Sequence, residues 1–268
     1  MSVKSMLKKA GKKAWWAAFN ALHQRTYRHL SYDVHYLYHR GTSGDLVVVF
    51  SAFAPGLKPS YNYVRSLWGH ADAHLLFIRD DFVSLPSGGA YYIGSKGDSH
   101  GQDAVLTLIR HIRKRCGAKR VIGVGSSKGG TAALLFGCML PMDAIIIGAP
   151  QYYIGSYMQE HKPDSLALLA TSSGGTPTAE DIAFLDAIVP RAVRECKTPP
   201  CVYIHYSDQE HTYQEHIADM LRFLKECGFP ITEDVADYAK HTDVSLYYQP
   251  YLLKTLPAVL AERSEPDA

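Results

Sequence analysis

The chain has 268 residues, of which 47% are hydrophobic and 20% charged. This composition is typical of a soluble globular domain and excludes a disordered chain. No apolar run approaches the roughly 18 residues that a transmembrane helix needs. The five cysteines are odd in number and show no CxxC spacing and no Cys/His cluster. They argue against a disulfide framework or a structural zinc and favour a reducing, cytoplasmic compartment.

The net charge of +2 is unevenly distributed. The segment up to Tyr32 carries seven bases and no acid, whereas the rest holds 21 bases against 26 acids. A phosphate-tracking surface needs clustered positive charge, so the acidic body argues against nucleic-acid binding.

Residues 1–30 form the basic head, which is predicted to be an amphipathic helix. Its apolar face is Val3, Met6, Leu7, Ala10, Ala14, Ala17 and Ala21, and its basic face is Lys4, Lys8, Lys9, Lys12 and Lys13. Such a helix is suited to peripheral contact with an anionic membrane, here at the inner face. Two alternatives are a helix packed on the body through its alanine-rich face and a targeting signal. The apolar segment Ala14–Leu22 is short and interrupted by Asn20, which argues against a signal peptide.

Residues 31–262 are predicted to form a single domain. Tyr32–His39 is expected to be an antiparallel edge strand. Five short, continuous apolar runs follow, a pattern typical of parallel strands buried on both faces. These runs are Leu46–Phe50, Leu75–Ile78, Val121–Val124, Ala144–Ile147 and Val202–Tyr206. Helical patterns separate them at Asp103–Arg115, Thr131–Leu140 and Tyr213–Glu226. The alternation predicts a three-layer α/β fold with a mostly parallel sheet.

The segment of about 50 residues from Gln151 to Pro200 is longer than a simple crossover requires. It contains a helical pattern from about Ala179 to Glu195, with Thr178 and Asp181 as a capping box. We expect a lid-type insertion over the carboxyl edge of the sheet.

The sequence Gly125-Ser-Ser-Lys-Gly129 fits G-x-S-x-G and lies between a buried strand and a helical pattern. That context is the one a nucleophile elbow requires, which makes Ser127 the candidate nucleophile. A dinucleotide G-x-G-x-x-G would need glycine at Lys128, and in a Walker loop the lysine would follow the glycines. The remaining alternative is an ordinary glycine-rich turn between strand and helix.

A serine nucleophile needs a base and an acid that orients it, in the chain order Ser, acid, His for this elbow. Asp208 ends the fifth apolar run and is the predicted acid, with Glu210 as the alternative. His241 follows the next extended segment and is the predicted base. The competing interpretations are a turn cap for Asp208 and a surface-loop histidine for His241.

An oxyanion hole would use the backbone N–H of Lys128 and one N–H from the loop after the first parallel strand. In that loop the donor is expected to be Ala52 or Phe53. The Lys128 side chain has two open interpretations, attraction of an anionic substrate or simple solvation.

Four segments carry a resemblance to a known family: GSSKGG at the elbow, SAFAPG after the first parallel strand, IRDDF at Ile78–Phe82 and YYIGSKGD at Tyr91–Asp98. Over roughly Asp45 to Leu256, the chain resembles bacterial capsular-polysaccharide-biosynthesis acyltransferase-like proteins and accessory Sec O-acetyltransferases. The resemblance implies an α/β-hydrolase-like fold, a Ser/acid/His site with Ser127 and His241 at the motif positions, and an acid that is Asp or Glu. It also implies acetyl-CoA as a candidate acyl donor and cell-surface glycans or glycoproteins as substrates.

The expected activity is therefore serine-dependent acyl transfer, as an esterase or O-acyltransferase, on an acylated polysaccharide, a glycoconjugate or a small ester. This chemistry needs no metal or prosthetic group. The alternative is a non-catalytic glycan-binding or scaffold component of a polysaccharide system. Six tyrosines lie on segments that could border the site, although an ordinary packing role is favoured for each. They are Tyr61, Tyr63, Tyr91, Tyr92, Tyr152 and Tyr153.

Overall fold

The structure is a computed structural model that describes residues 3–53, 59–81, 85, 88–94, 98–171 and 175–262. Parts of three segments that carried the resemblance lie outside these ranges: 54–56, Phe82 and 95–97. The side chains of residues 3–10, 12 and 13, which include the five lysines of the predicted basic face, also lie outside the description.

One eight-stranded sheet organises the described chain. Its strands are β1 (Gln24–His29), β2 (Tyr32–His39), β3 (Asp45–Phe50), β4 (His74–Ile78), β5 (Arg120–Ser126), β6 (Ala144–Gly148), β7 (Cys201–Tyr206) and β8 (Ile231–Val235). The spatial order is β1-β2-β4-β3-β5-β6-β7-β8. Only the β1–β2 and β2–β4 pairs are antiparallel. The predicted mostly parallel α/β sheet is confirmed.

The antiparallel end of the sheet differs from the expectation in one respect. Strand β2 is not the edge, because β1 pairs along its outer side from Gln24↔Leu37 to His29↔Tyr32. Strand β1 is polar and half of its residues are exposed, so it lacks the apolar run that marks β3 to β7.

In the part of the chain that the structure describes, ten helices surround the sheet. They are α1 (Val3–His23), α2 (Val64–Leu67), α3 (His100–Cys116), α4 (Lys128–Met139), α5 (Ile154–His161), α6 (Pro163–Thr171), α7 (Ala179–Asp186), α8 (Ile188–Glu195), α9 (Ala218–Glu226) and α10 (Val244–Ala261). A π-helical turn (Tyr213–Ile217) precedes α9, and a 3₁₀ turn (His241–Asp243) precedes α10.

Helices cover both faces of the central strands, which explains why every residue of β3, β4 and β6 is buried. On one face, Gly123 of β5 lies against Ala133 of α4 and beside Ile145 of β6. Gly148, three residues after Ile145, therefore faces the other side, where the Tyr248 ring of α10 packs against it. The three-layer arrangement follows from this alternation.

The segment between β6 and β7 is filled by helices α5 to α8. The predicted capping box is present, since the Asp181 N–H donates to Thr178 Oγ1 and the Thr178 N–H donates to Asp181 Oδ2. The single helix expected over residues 179–195 is instead two helices that meet at Ala187. Helix α8 packs on α4, whereas α5 borders the carboxyl edge of the sheet.

The N-terminal helix ends at His23, earlier than the predicted boundary at residue 30. It contacts the body through aromatic residues: the Phe19 and His23 rings each lie 5.0 Å from Trp68. Ala14, Ala17 and Ala21 are exposed, so the helix does not pack through its alanine-rich face. Within the described ranges, no helix combines the length and the apolar character needed to cross a membrane.

Candidate active site

Ser127 occupies the turn between β5 and α4 with φ 51° and ψ −129°, a conformation that costs energy for a residue with a side chain. Glycine is required at position 125, because an added Cβ would come within 2.2 Å of the Gly129 carbonyl oxygen. The Ser127 N–H donates to the Gly148 carbonyl at 2.7 Å, which ties the turn to β6. The turn therefore has the sharp, strained strand-to-helix geometry that a nucleophile elbow requires.

A continuous hydrogen-bonded chain joins Ser127 to a histidine and a carboxylate. Ser127 Oγ lies 2.8 Å from His241 Nε2, and His241 Nδ1 lies 2.9 Å from Glu210 Oε2. The carboxylate accepts a hydrogen bond from the Nδ1–H of the neutral imidazole, so Nε2 is unprotonated and can accept the proton of the serine hydroxyl. The 3₁₀ turn that follows β8 supplies His241, and the loop after β7 supplies Glu210.

The structure pairs His241 with Glu210, the alternative acid, and not with Asp208, the predicted one. The Glu210 side chain is 0% exposed and also accepts a hydrogen bond from the Thr212 hydroxyl. Asp208 is exposed. Strand β7 ends at Tyr206, and the chain then turns so that Asp208 faces solvent while Glu210 faces inward.

Gln151 is a site residue that the sequence reasoning missed. Its Nε2 donates to Ser127 Oγ at 2.8 Å and lies 3.2 Å from His241 Nε2. The Thr131 hydroxyl accepts from the Gln151 N–H and donates to its carbonyl, both at 2.9 Å. Tyr91 donates to Gln151 Oε1 at 3.3 Å. The available signal was position, since Gln151 lies three residues after the end of β6, the strand that neighbours the elbow strand.

The Lys128 side chain matches neither of its two sequence interpretations. It is 0% exposed, and its Nζ donates to Asp80 Oδ2 at 2.6 Å. Asp80 Oδ2 also accepts the Ala90 N–H at 2.8 Å. Burial lowers the pKa of the Lys128 ammonium, and the Asp80 carboxylate opposes that shift. Through Asp80, this ion pair connects the first residue of α4 to the segment around Ala90.

The two oxyanion-loop candidates differ in their backbone contacts. The Ala52 N–H donates to Asn62 Oδ1 at 3.1 Å, so it is already engaged. Phe53 is partly exposed, and its ring packs edge-on against Tyr91 at 5.5 Å. The Lys162 ammonium lies 5.8 Å from the same ring, so a cation borders this loop.

Most of the six tyrosines named in the sequence analysis pack in the protein interior. Tyr91 and Tyr92 are fully buried, and the Tyr92 hydroxyl donates to the Ile78 carbonyl. Tyr61 and Tyr152 are buried as well, and the Tyr63 hydroxyl is hydrogen-bonded to Ser126 Oγ. Packing, the favoured interpretation, therefore holds for these five, and Tyr91 in addition donates its hydroxyl to the site residue Gln151.

A different tyrosine, on helix α5, borders the catalytic histidine candidate. The Tyr157 ring centre lies 6.5 Å from that of His241. Burial, with a contribution from the Glu210 charge, raises the pKa of Tyr157 to about 12. Its phenol is therefore neutral near pH 7 and adds no charge beside the imidazole.

No family profile and no curated protein matches the sequence. Several solved structures are similar in fold. A capsule O-acetyltransferase of Neisseria meningitidis serogroup A aligns with 19% identity and a TM-score of 0.70, over 88% of this chain and 98% of that one. A variant of that enzyme in complex with CoA aligns with a TM-score of 0.70 and 18% identity, over 88% of this chain and 94% of that one.

Two further structures extend the comparison. The Gap123 glycosylation-associated protein complex of Streptococcus agalactiae aligns with a TM-score of 0.73 and 20% identity, over 90% of this chain and 47% of that one. FphF, a fluorophosphonate-binding serine hydrolase of Staphylococcus aureus, aligns with a TM-score of 0.63 and 14% identity, over 89% of this chain and 98% of that one. The chain has the α/β-hydrolase fold. The similar structures include a capsule O-acetyltransferase and a glycosylation-associated complex, which agree with the family resemblance noted in the sequence.

Proposed function

We propose that this protein is a serine-dependent acyl-transfer enzyme with Ser127 as nucleophile, His241 as general base and Glu210 as orienting acid. The observation that carries the proposal is the chain of two hydrogen bonds, 2.8 Å and 2.9 Å long, that starts at a strained elbow serine. The three groups come from the ends of three different elements, an arrangement that supports catalysis over a structural role.

The reaction has two halves. Ser127 Oγ attacks the acyl carbonyl while His241 Nε2 takes the hydroxyl proton, and the leaving group then departs with that proton. An acceptor hydroxyl or water next loses its proton to His241 and attacks the acyl-serine. The bond between the acyl carbon and Ser127 Oγ then breaks, and His241 returns the proton to Oγ, which restores the free enzyme. Glu210 holds the imidazole in the required tautomer and stabilises the imidazolium that forms in each half.

The oxyanion would be bound by the backbone N–H groups of Lys128 and Phe53. Lys128 is the first residue of α4, so its N–H lies at the positive end of the helix. The Ala52 N–H is engaged by Asn62, which favours Phe53 of the two loop candidates. Gln151 fixes the orientation of the serine hydroxyl by donating to Oγ, which leaves the hydroxyl proton directed at His241.

We propose acetyl-CoA as the acyl donor and a polysaccharide or glycoconjugate hydroxyl as the acceptor, with small esters as surrogate donors. The fold of a capsule O-acetyltransferase, one variant of which binds CoA, supports this choice. The Lys162 ammonium beside Phe53 supports a donor that carries phosphate groups. Hydrolysis remains the route when water replaces the sugar hydroxyl.

The test is to incubate the protein with acetyl-CoA or p-nitrophenyl acetate and to measure the intact mass after acid quenching. The proposal predicts one added acetyl group on the peptide that contains Ser127, and its loss when an acceptor glycan is added. A folded protein that binds glycans but never forms the acetyl adduct would support the alternative, a non-catalytic glycan-binding or scaffold component.

We also propose a cytoplasmic location with peripheral membrane contact through residues 1–30. The exposed Ala14, Ala17 and Ala21 leave one side of helix α1 free of the body, and the segment is basic. Electrostatic attraction to anionic lipid would hold such a helix at the surface.

A further inference from the structure

A second cluster of ligand-type side chains lies next to the proposed triad. It consists of His161, the last residue of α5, and of His211 and Glu215, which follow β7. One ligand atom from each residue lies within 4.8 Å of those of the other two. Glu215 Oε2 is 2.9 Å from His211 Nδ1 and 3.9 Å from His161 Nε2. The cluster therefore brings the inserted helices and the loop after β7 together around one carboxylate oxygen.

The hydrogen bonding of this cluster is incomplete. His161 Nε2 is buried and has no hydrogen-bond partner among the described residues. The same holds for Nε2 of His216, a residue that is 2% exposed and whose Nε2 lies 3.8 Å from Glu215 Oε2. Buried ring nitrogens are rarely left unsatisfied, so His161 Nε2, 3.9 Å from Glu215 Oε2, is available to bind a ligand held by the same carboxylate.

His216 is best regarded as an outer partner of this cluster. Its Nδ1 accepts the Tyr153 N–H at 3.3 Å, which leaves the proton of the neutral ring on Nε2. A protonated Nε2 cannot ligate a cation, but it can donate to a ligating carboxylate and orient it.

We propose that His161, His211 and Glu215 bind Zn²⁺. Two imidazoles and one carboxylate are a donor set that Zn²⁺ takes in three-ligand sites with one open position. Harder cations such as Mg²⁺ and Ca²⁺ prefer oxygen ligands. With bonds of about 2.1 Å, tetrahedral ligand atoms lie about 3.4 Å apart. The two separations from Glu215 Oε2, 2.9 Å and 3.9 Å, bracket that value.

The bound ion would inhibit acyl transfer, an effect that rests on the proposed function. The His211 ring centre lies 5.8 Å from that of His241, so a divalent charge on His211 opposes the imidazolium that the reaction forms. The ion would also connect α5, which carries Tyr157 beside His241, to the loop that supplies Glu210. The charge of the ion and this connection between α5 and the loop both act on the surroundings of His241.

A second set of groups, Glu210, His211 and His241, also has ligand atoms within 4.8 Å. It shares His211 with the proposed site but contains two members of the triad. Substitutions of His161 and Glu215 separate the two possibilities, because neither residue belongs to the triad.

The binding test titrates the full-length protein with Co²⁺, a spectroscopic substitute for Zn²⁺, and follows visible absorption, with Zn²⁺ competition to obtain the zinc affinity. His161→Ala and Glu215→Gln should each weaken binding at least about tenfold. His100→Ala, a variant of an exposed histidine that is paired with Asp98, should bind as the wild type does. Unchanged binding in His161→Ala, or loss confined to His241→Ala, would overturn the proposed site.

The functional test measures p-nitrophenyl acetate hydrolysis with and without Zn²⁺. We expect saturating Zn²⁺ to remove most of the wild-type rate and EDTA to restore it. The His161→Ala variant should hydrolyse the ester at the same rate with and without Zn²⁺. Metal binding at His161 without loss of the hydrolysis rate would support the proposed Zn²⁺ site and overturn the proposed inhibition. A protein inactive even in EDTA would contradict the proposed function, while the Co²⁺ spectrum would still decide the site.

Discussion

Replacing Glu210 by Gln tests the assignment of the acid, because the substitution keeps the size of the side chain and removes its charge. The Glu210 side chain is 0% exposed and contacts His241 Nδ1 at 2.9 Å. When His241 takes the serine proton, two unit charges about 4 Å apart at an effective dielectric constant near 20 attract by about 4 kcal/mol. A barrier raised by that amount corresponds to a rate about 10³-fold lower.

The assay is kcat/KM for p-nitrophenyl acetate, with circular dichroism to confirm that each variant is folded. Asp208→Asn is the matched control, since Asp208 is exposed on the same loop, and it should change the rate by less than about twofold. The reasoning is refuted if Asp208→Asn causes the larger loss, or if Glu210→Gln hydrolyses the ester as fast as the wild type.

Three further predictions concern other parts of the molecule. Gln151→Ala should lower kcat roughly 10²-fold with little change in stability, because the serine hydroxyl loses its positioning donor; equal wild-type and variant rates would contradict this. Lys128→Met should lower the free energy of unfolding by about 3–5 kcal/mol, because it leaves Asp80 buried without its counter-ion. Urea titrations measure this loss, and the double variant with Asp80→Leu should recover part of it. The full-length protein should bind anionic but not neutral vesicles, more weakly at high salt, and deletion of Met1–Leu30 should abolish binding; equal binding to both vesicle types would refute the membrane proposal.

The parts of the fold and site that sequence predicted well are local or follow from chain order. The strands β3, β4 and β6 appear as continuous apolar runs because both of their faces are buried. The elbow around Ser127 is a local pattern of residues, and Gly125 is required by its contact with Gly129 in the same turn. Gly129 is required by the backbone of Phe50 and Ser51 at the end of β3. The placement of His241 followed from the order of the elements alone.

The parts that sequence could not settle depend on contacts between distant segments or on the path of a loop. Asp208 and Glu210 differ only in how the chain turns after β7, which no apolar pattern records. The Lys128 pairing with Asp80 joins residues 48 positions apart, and Gln151 is held by Thr131 and Tyr91 from two other segments. Strand β1 is polar and half-exposed, so the sequence carries no strand signal there and the predicted helix was extended over it to residue 30.

The most direct measurement of the central claim is covalent labelling of Ser127 by a fluorophosphonate probe, followed by identification of the modified peptide. The proposed mechanism predicts that the wild type is labelled at Ser127 and that Ser127→Ala is not. Ser126→Ala, which changes the neighbouring serine hydroxyl that pairs with Tyr63, should still be labelled. Labelling that persists in folded Ser127→Ala, or a folded wild type that is never labelled, would contradict the assignment of Ser127 as the nucleophile.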